Sequence, residues 1–274
     1  MTALATEKAL PPRHQKVLQR AFFLLERRNF AARLAEYAGQ PVDRVLRMMP
    51  KPASAGLNRA IEAAILKSLN LAISSIEPRS KHRPAAELAS LLAGINGGIS
   101  GFFGFAALPI ELPLTTTLML RSIADIARHH GEDLSRLEAR LACMEVFALG
   151  AGDVQKRMDI GYYASRALLS KLAGQASAYL IERNAASASV PVVNSLVSEL
   201  ASRFGIIVSE RFAASALPIV GAIGGAAVNM IFMHHFQCVA QAHFSLRRLE
   251  RWYGQPLIRR HYEDLASQSS VRAA

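Results

Sequence analysis

The sequence is poor in cysteine, in aromatic residues and in regular alternation of polar and apolar residues. It has two cysteines, Cys143 and Cys238, in no paired motif, so we expect reduced thiols in a cytoplasmic protein. Residues 1–16 lack the apolar stretch of a secretory signal peptide. No segment alternates with a period of two, which argues against a β-sheet fold.

Several signatures of enzyme chemistry are also missing. There is no P-loop, no G-x-S-x-G nucleophile motif and neither HExxH nor ExxH, so the chain is not itself an ATPase. Adjacent histidines point about 100° apart on a helix and cannot share an ion. We therefore predict no metal and no cofactor, although potential ligands exist at Glu111, Asp125, Glu145, His235, His243 and Glu250.

Acidic residues are few relative to basic ones, and the excess positive charge is concentrated near both ends. The net charge is +11, of which residues 1–60 carry +7 and residues 245–262 carry +4. Such an excess suits either nucleic acid or anionic lipid. Because no RNA-binding motif, zinc finger or helix-turn-helix pattern accompanies it, we expect no nucleic acid and favour an anionic membrane.

Apolar residues make up 51% of the chain and recur at helical spacing along most of it. This pattern predicts an all-α protein, a single multi-helix bundle. We divide the chain into a disordered N-terminus (1–11), basic N-terminal helices packed on the core (12–83), a helical core (84–262) and a disordered tail (263–274).

Two long uncharged runs stand out within this pattern. Residues 88–110 and 212–233 contain 23 and 22 residues without a charge, both are rich in glycine, and each contains Ala-Leu-Pro-Ile. Both are long enough to span a membrane, and glycine at helical spacing also permits close packing in a soluble core. Whether they are inserted or buried, we expect them to lie side by side at the centre of the bundle.

Three stretches carry a resemblance to a known family: ELPLTTTLMLRSIADIA (111–127), DIGYYASRALLSK (159–171) and the closing stretch 212–254. Together they resemble the EcsC protein family of bacteria over residues 90–254. The family is associated by name with an ABC transporter, which implies a membrane-transporter partner and defines no biochemical activity.

The helix expected after Pro113 carries two candidate features. Arg121 and Asp125 are four residues apart and can pair, either as a solvated salt bridge or, if another helix covers them, in the interior. Three hydroxyls follow Pro113 directly, where they can cap the helix or help its free N–H groups to bind an anion such as a phosphate. They belong to Thr115, Thr116 and Thr117.

The long helix near the C-terminus places polar residues beside its apolar face. Asn229, His243 and Glu250 lie at intervals of seven or fourteen residues along one edge, and His235 lies in the apolar band. Buried polar groups need partners. We therefore predict an interior polar network of Arg121, Asp125, Asn229, His235, His243 and Glu250.

The same helix ends in a basic turn that also bears aromatic residues. We predict a membrane or partner surface at Arg247, Arg248, Arg251, Trp252 and Tyr253. These features favour a protein at the inner face of the membrane that binds lipid or another apolar ligand. The alternatives are an accessory module for a transporter or secretion system, and a metal-dependent hydrolase built on Asp125, His243 and Glu250.

Overall fold

The structure, a computed structural model, describes residues 10–26, 30, 51–74, 108–151, 161–182, 191–215 and 222–271. Within these ranges it contains eight α-helices and no β-strand, so the prediction of an all-α bundle is confirmed. The helices are α1 Pro12–Glu26, α2 Lys51–Ile73, α3 Leu108–His129, α4 Leu137–Leu149, α5 Tyr162–Glu182, α6 Pro191–Ser215, α7 Ala222–Tyr253 and α8 Gln255–Val271.

Helix α4 lies at the centre of the described part of the chain. It packs against α2, α3, α5, α6 and α7, and every residue from Ala139 to Leu149 is buried. A helix that is buried on all sides is typical of a core position. Around it, α1 packs on α7 and α8, and α2 packs on α3 and α6.

The two uncharged runs can be followed only in part. Residues 88–107 of the first lie outside the described residues, and so does the predicted contact between the two runs. The two ends of the second run lie in described helices, at the end of α6 and the start of α7, and residues 216–221 between them lie outside the described residues. Among the described helices, one segment is long and apolar enough to cross a membrane, Pro191–Ala213 of α6. Half of the most apolar stretch of this segment is buried.

Helix α3 begins earlier than the sequence suggests. It starts at Leu108 and contains Pro113. The free N–H groups of a helix belong to its first turn, and the three threonines lie beyond that turn. Thr116 Oγ1 donates to the carbonyl oxygen of Leu112 at 2.9 Å, and Thr117 Oγ1 donates to that of Pro113 at 2.7 Å. The predicted helix cap and anion site at Thr115, Thr116 and Thr117 are therefore wrong.

Glycines end α3 and α7 as their positions predict. Gly131 and Gly254 have φ values of 83° and 87°, in the left-handed region that glycine adopts without strain. Beyond Gly254 the chain continues as α8, with Ile258 and Tyr262 buried in the core. The prediction of a disordered tail from residue 263 is therefore wrong as far as Val271, because α8 has an apolar face to bury.

Candidate functional site

The predicted interior pair of Arg121 and Asp125 is not formed. Both residues are exposed, and Asp125 instead accepts a hydrogen bond at 2.9 Å from Arg128, with 72% of the Asp125 side chain accessible. Helices α3 and α7 do pack together, but α3 turns Ile123 and Ala127 inward. The interior prediction for Arg121 and Asp125 is corrected to a solvated surface pair of Asp125 with Arg128.

The four predicted residues of α7 are largely buried, but they do not form one network. Asn229 and Glu250 are about 32 Å apart along the helix axis at 1.5 Å per residue. His235 Nε2 donates to the carbonyl oxygen of Gly150 at 2.8 Å and so ties α7 to the end of α4. His243 and Glu250 belong to a separate cluster with α5.

The centre of that cluster is a buried ion pair between Arg166 of α5 and Glu250 of α7. The guanidinium donates two hydrogen bonds to the carboxylate, at 2.7 and 2.8 Å, and Tyr163 OH donates a third at 2.9 Å. Only 12% of the Arg166 side chain and 8% of the Glu250 side chain are accessible. A bidentate pair this deeply buried holds α5 and α7 in one register.

His243 is held neutral in the same cluster. Burial, reinforced by the charges of Arg166 and Arg247, lowers the pKa of His243 well below its usual value. Arg166 donates to the oxygen of Tyr162 at 3.5 Å, and the Tyr162 hydroxyl and His243 Nδ1 share a hydrogen bond of 2.9 Å. For the other ring nitrogen, Nε2, the described residues provide no hydrogen-bond partner.

Glu145 is a buried carboxyl on the central helix without an arginine bonded to it. It is 3% exposed, and its hydrogen bonds come from Ser170 Oγ at 3.1 and 3.3 Å. Burial raises the pKa of Glu145 to about 7, although the charges of Arg247 and Arg166 act in the opposite direction. The charge of this buried carboxyl therefore changes near neutral pH.

Glu132, in the loop after α3, shows the contrasting case. It accepts two hydrogen bonds of 2.9 Å from Arg247 and a further one from Arg251. Burial acts to raise the pKa of Glu132, but the hydrogen bonds and charges of these two arginines outweigh it and lower the pKa. Glu132 is therefore ionised in the folded protein.

A cleft of about 460 Å³ opens beside these groups. Its walls come from the loop 131–136, the start of α4, α5 and the end of α7. The cleft is lined by Arg166, Arg247 and Arg251 together with Glu132 and Glu250, and it carries further charged residues at its rim. A ligand in the cleft would meet both ion-pair systems at once.

The predicted membrane or partner surface is divided by this geometry. Arg247 and Arg251 turn towards Glu132 and line the cleft. Tyr253 OH bonds to His14 Nδ1 of α1 at 2.7 Å. Trp252 stays 56% exposed, with the guanidinium of Arg248 5.2 Å from its ring centroid. Of the five predicted residues, Arg251 and Trp252 are exposed, and Arg247, Arg248 and Tyr253 are partly buried.

Sequence reasoning missed the residues that complete the buried cluster, namely Tyr162, Tyr163, Arg166 and the carboxyl of Glu145 as a titrating group. A signal was present, because three of them belong to the stretch 159–171. Spacing within α5 could not show which charge on another helix would receive Arg166, since Glu250 follows 84 residues later.

The hydrolase alternative finds little support in the geometry. Asp125 is exposed on α3, whereas His243 is fully buried and Glu250 is bonded to Arg166. In the described ranges no three histidine, cysteine or acidic side chains converge as metal ligands would.

Comparison with protein families supports the resemblance read from the three stretches. The EcsC protein family matches residues 20–249, most of the chain, including α3, α5 and most of α7. No curated protein and no solved structure gives a match. The matched region includes the cluster residues Tyr162, Tyr163, Arg166 and His243. Glu250 is the first residue after it. On this evidence the chain belongs to the EcsC protein family.

Proposed function

We propose that the protein binds anionic lipid as a peripheral protein at the inner face of the membrane. The observation that carries the proposal is Trp252, 56% exposed and placed between two basic side chains. The guanidinium of Arg248 lies 5.2 Å from its ring centroid, and the ring of His14 lies 5.3 Å away. An exposed indole beside a guanidinium suits the boundary between lipid headgroups and acyl chains.

Helix α1 extends this surface with positive charge. Its buried face consists of Leu18, Ala21, Phe22 and Leu25. Its opposite face exposes Arg13, Lys16 and Arg20. His14 joins this helix to Trp252 and Tyr253, so Arg13, Lys16 and Arg20 lie on the helix that contacts the tryptophan. We define the Trp252 surface as Arg13, Lys16, Arg20, Arg248 and Trp252.

The expected strength of binding follows from the charges. Each basic side chain near an anionic membrane contributes about 1 kcal/mol, so the four cations of the Trp252 surface supply on the order of 4 kcal/mol. That corresponds to roughly a thousandfold in affinity. Because exposed charges are screened by salt, the binding should weaken strongly as ionic strength rises.

Trp252 provides the assay, because it is the single tryptophan of the chain. Titration with phosphatidylglycerol vesicles should shift its fluorescence emission to the blue, and vesicles containing brominated lipid should quench it. Phosphatidylcholine vesicles should do neither. Flotation of the protein with the same vesicles gives an independent measure of binding.

A charge-matched pair of variants tests whether the location of the charges matters. R13Q/K16Q/R20Q should lose most of the binding. R59Q/K67Q/K171Q removes the same number of exposed cations from α2 and α5 and should bind like the unaltered protein. Equal loss in both variants, or no quenching of Trp252 at low salt, would refute the proposal and favour a soluble accessory role.

A further inference from the structure

The cleft beside the buried cluster has more hydrogen-bond donors than acceptors. A guanidinium has five N–H donors. Arg247 bonds Glu132 through Nε and Nη2, and Arg251 bonds Glu132 through Nη1 and the carbonyl oxygen of His130 through Nη2. In the described part of the chain, these bonds use two of the five donors on each arginine.

Both carboxylates at the floor of the cleft are already engaged. Glu132 accepts on both oxygens from the two arginines, and Glu250 accepts on both oxygens from Arg166 and also from Tyr163. The floor therefore offers few free acceptors, whereas the unused N–H groups of Arg247 and Arg251 need acceptors. A ligand rich in oxygen acceptors would complement it.

The charges that line the cleft are equal in number but differ in exposure. They belong to Arg136, Arg166, Arg247 and Arg251 and to Glu132, Asp133, Glu138 and Glu250. Arg136 is paired with Glu138 at 2.6 Å, and Asp133 is bonded to Ser135; these groups are exposed to solvent and screened. Among the less exposed groups, Arg166 and Arg247 balance Glu250 and Glu132, and Arg251, with 39% of its side chain accessible, adds one positive charge in excess.

We propose that the cleft is a binding site for a phosphate group, held by Arg247 and Arg251. Two guanidinium forks on neighbouring turns of α7 match a tetrahedral anion with several acceptor oxygens better than a single planar carboxylate. A cleft of about 460 Å³ has room for a small phosphate ester. The phosphate belongs either to a soluble ester or to a lipid headgroup.

The site is separate from the Trp252 surface although it shares a helix with it. Arg247 and Arg251 are four residues apart on one face of α7. Arg248 and Trp252 lie on the adjacent face, rotated by about 100°. The two proposals can therefore fail independently, and different variants test them.

Isothermal titration with inorganic phosphate and with glycerol phosphate tests the site. We expect saturable binding by the unaltered protein and a loss of at least about tenfold in R251Q, because charged hydrogen bonds are removed. R259Q is the matched control, since Arg259 is an exposed arginine paired with Glu263 outside the cleft. R251K, which keeps the charge but loses the fork, should bind with intermediate affinity and replaces R251Q if that variant melts too early.

The outcomes separate the two sources of phosphate. If R251Q loses phosphate binding but still floats with phosphatidylglycerol vesicles, the ligand is a soluble ester. If R251Q loses both, the cleft takes a lipid headgroup. No saturable heat with either probe, or equal weakening in R259Q and R251Q, would overturn the site and leave the Trp252 surface untouched.

Discussion

Replacing Glu145 by glutamine tests whether a buried, unpaired carboxyl makes the stability of this protein depend on pH. In the folded protein the pKa of Glu145 is raised by burial to about 7, from its ordinary value of 4.5. The folded state therefore keeps a proton that the unfolded chain releases. The stability contributed by the protonated carboxyl is fully present below about pH 4.5 and is lost as pH rises through about pH 7.

The size of the effect follows from that difference. A shift of one pKa unit corresponds to about 1.4 kcal/mol, so ionising Glu145 costs the fold on the order of 3 kcal/mol above neutral pH. Glutamine has nearly the same shape, carries no charge and can still accept a hydrogen bond from Ser170 Oγ. E145Q should therefore gain stability relative to the unaltered protein as pH rises, and the two should converge in acid.

Denaturant unfolding of both proteins from about pH 5 to about pH 8 measures this difference. Every other titrating group is common to the two proteins, so its contribution cancels in the subtraction. At the alkaline end E145Q should melt roughly 5–10 °C higher. A difference in unfolding free energy that does not change with pH would refute the assignment of a proton to Glu145.

Two further predictions concern the core. E250Q should lose about 3–5 kcal/mol of unfolding free energy at pH 7, because it leaves the buried guanidinium of Arg166 without its carboxylate; a loss below about 1 kcal/mol in denaturant unfolding would contradict a buried pair. G150A should lose about 1–3 kcal/mol, because a Cβ there meets the Phe236 ring at 2.6 Å. G174A, with nothing within 4 Å of its added Cβ, should instead gain about 0.5–1 kcal/mol of unfolding free energy. Thermal melts of both glycine variants, compared with the unaltered protein, test these two expectations.

Local features of the sequence were enough to predict the fold class. Apolar spacing predicts helices, and glycine at residues 131 and 254 permits the left-handed conformation that ends α3 and α7, because it has no side chain to clash. The seven-residue spacing likewise placed His243 and Glu250 on one edge of α7. These properties depend on neighbours within a few residues.

The tertiary structure alone decided which charges are buried and how they pair. Arg121 and Arg166 are both arginines on amphipathic helices, yet the first is exposed and the second bonds to Glu250 inside the bundle. The raised pKa of Glu145 has the same origin, since it depends on five helices that surround α4. Solvent access and long-range partners are set by packing between segments far apart in the chain, and helical periodicity carries no information about them.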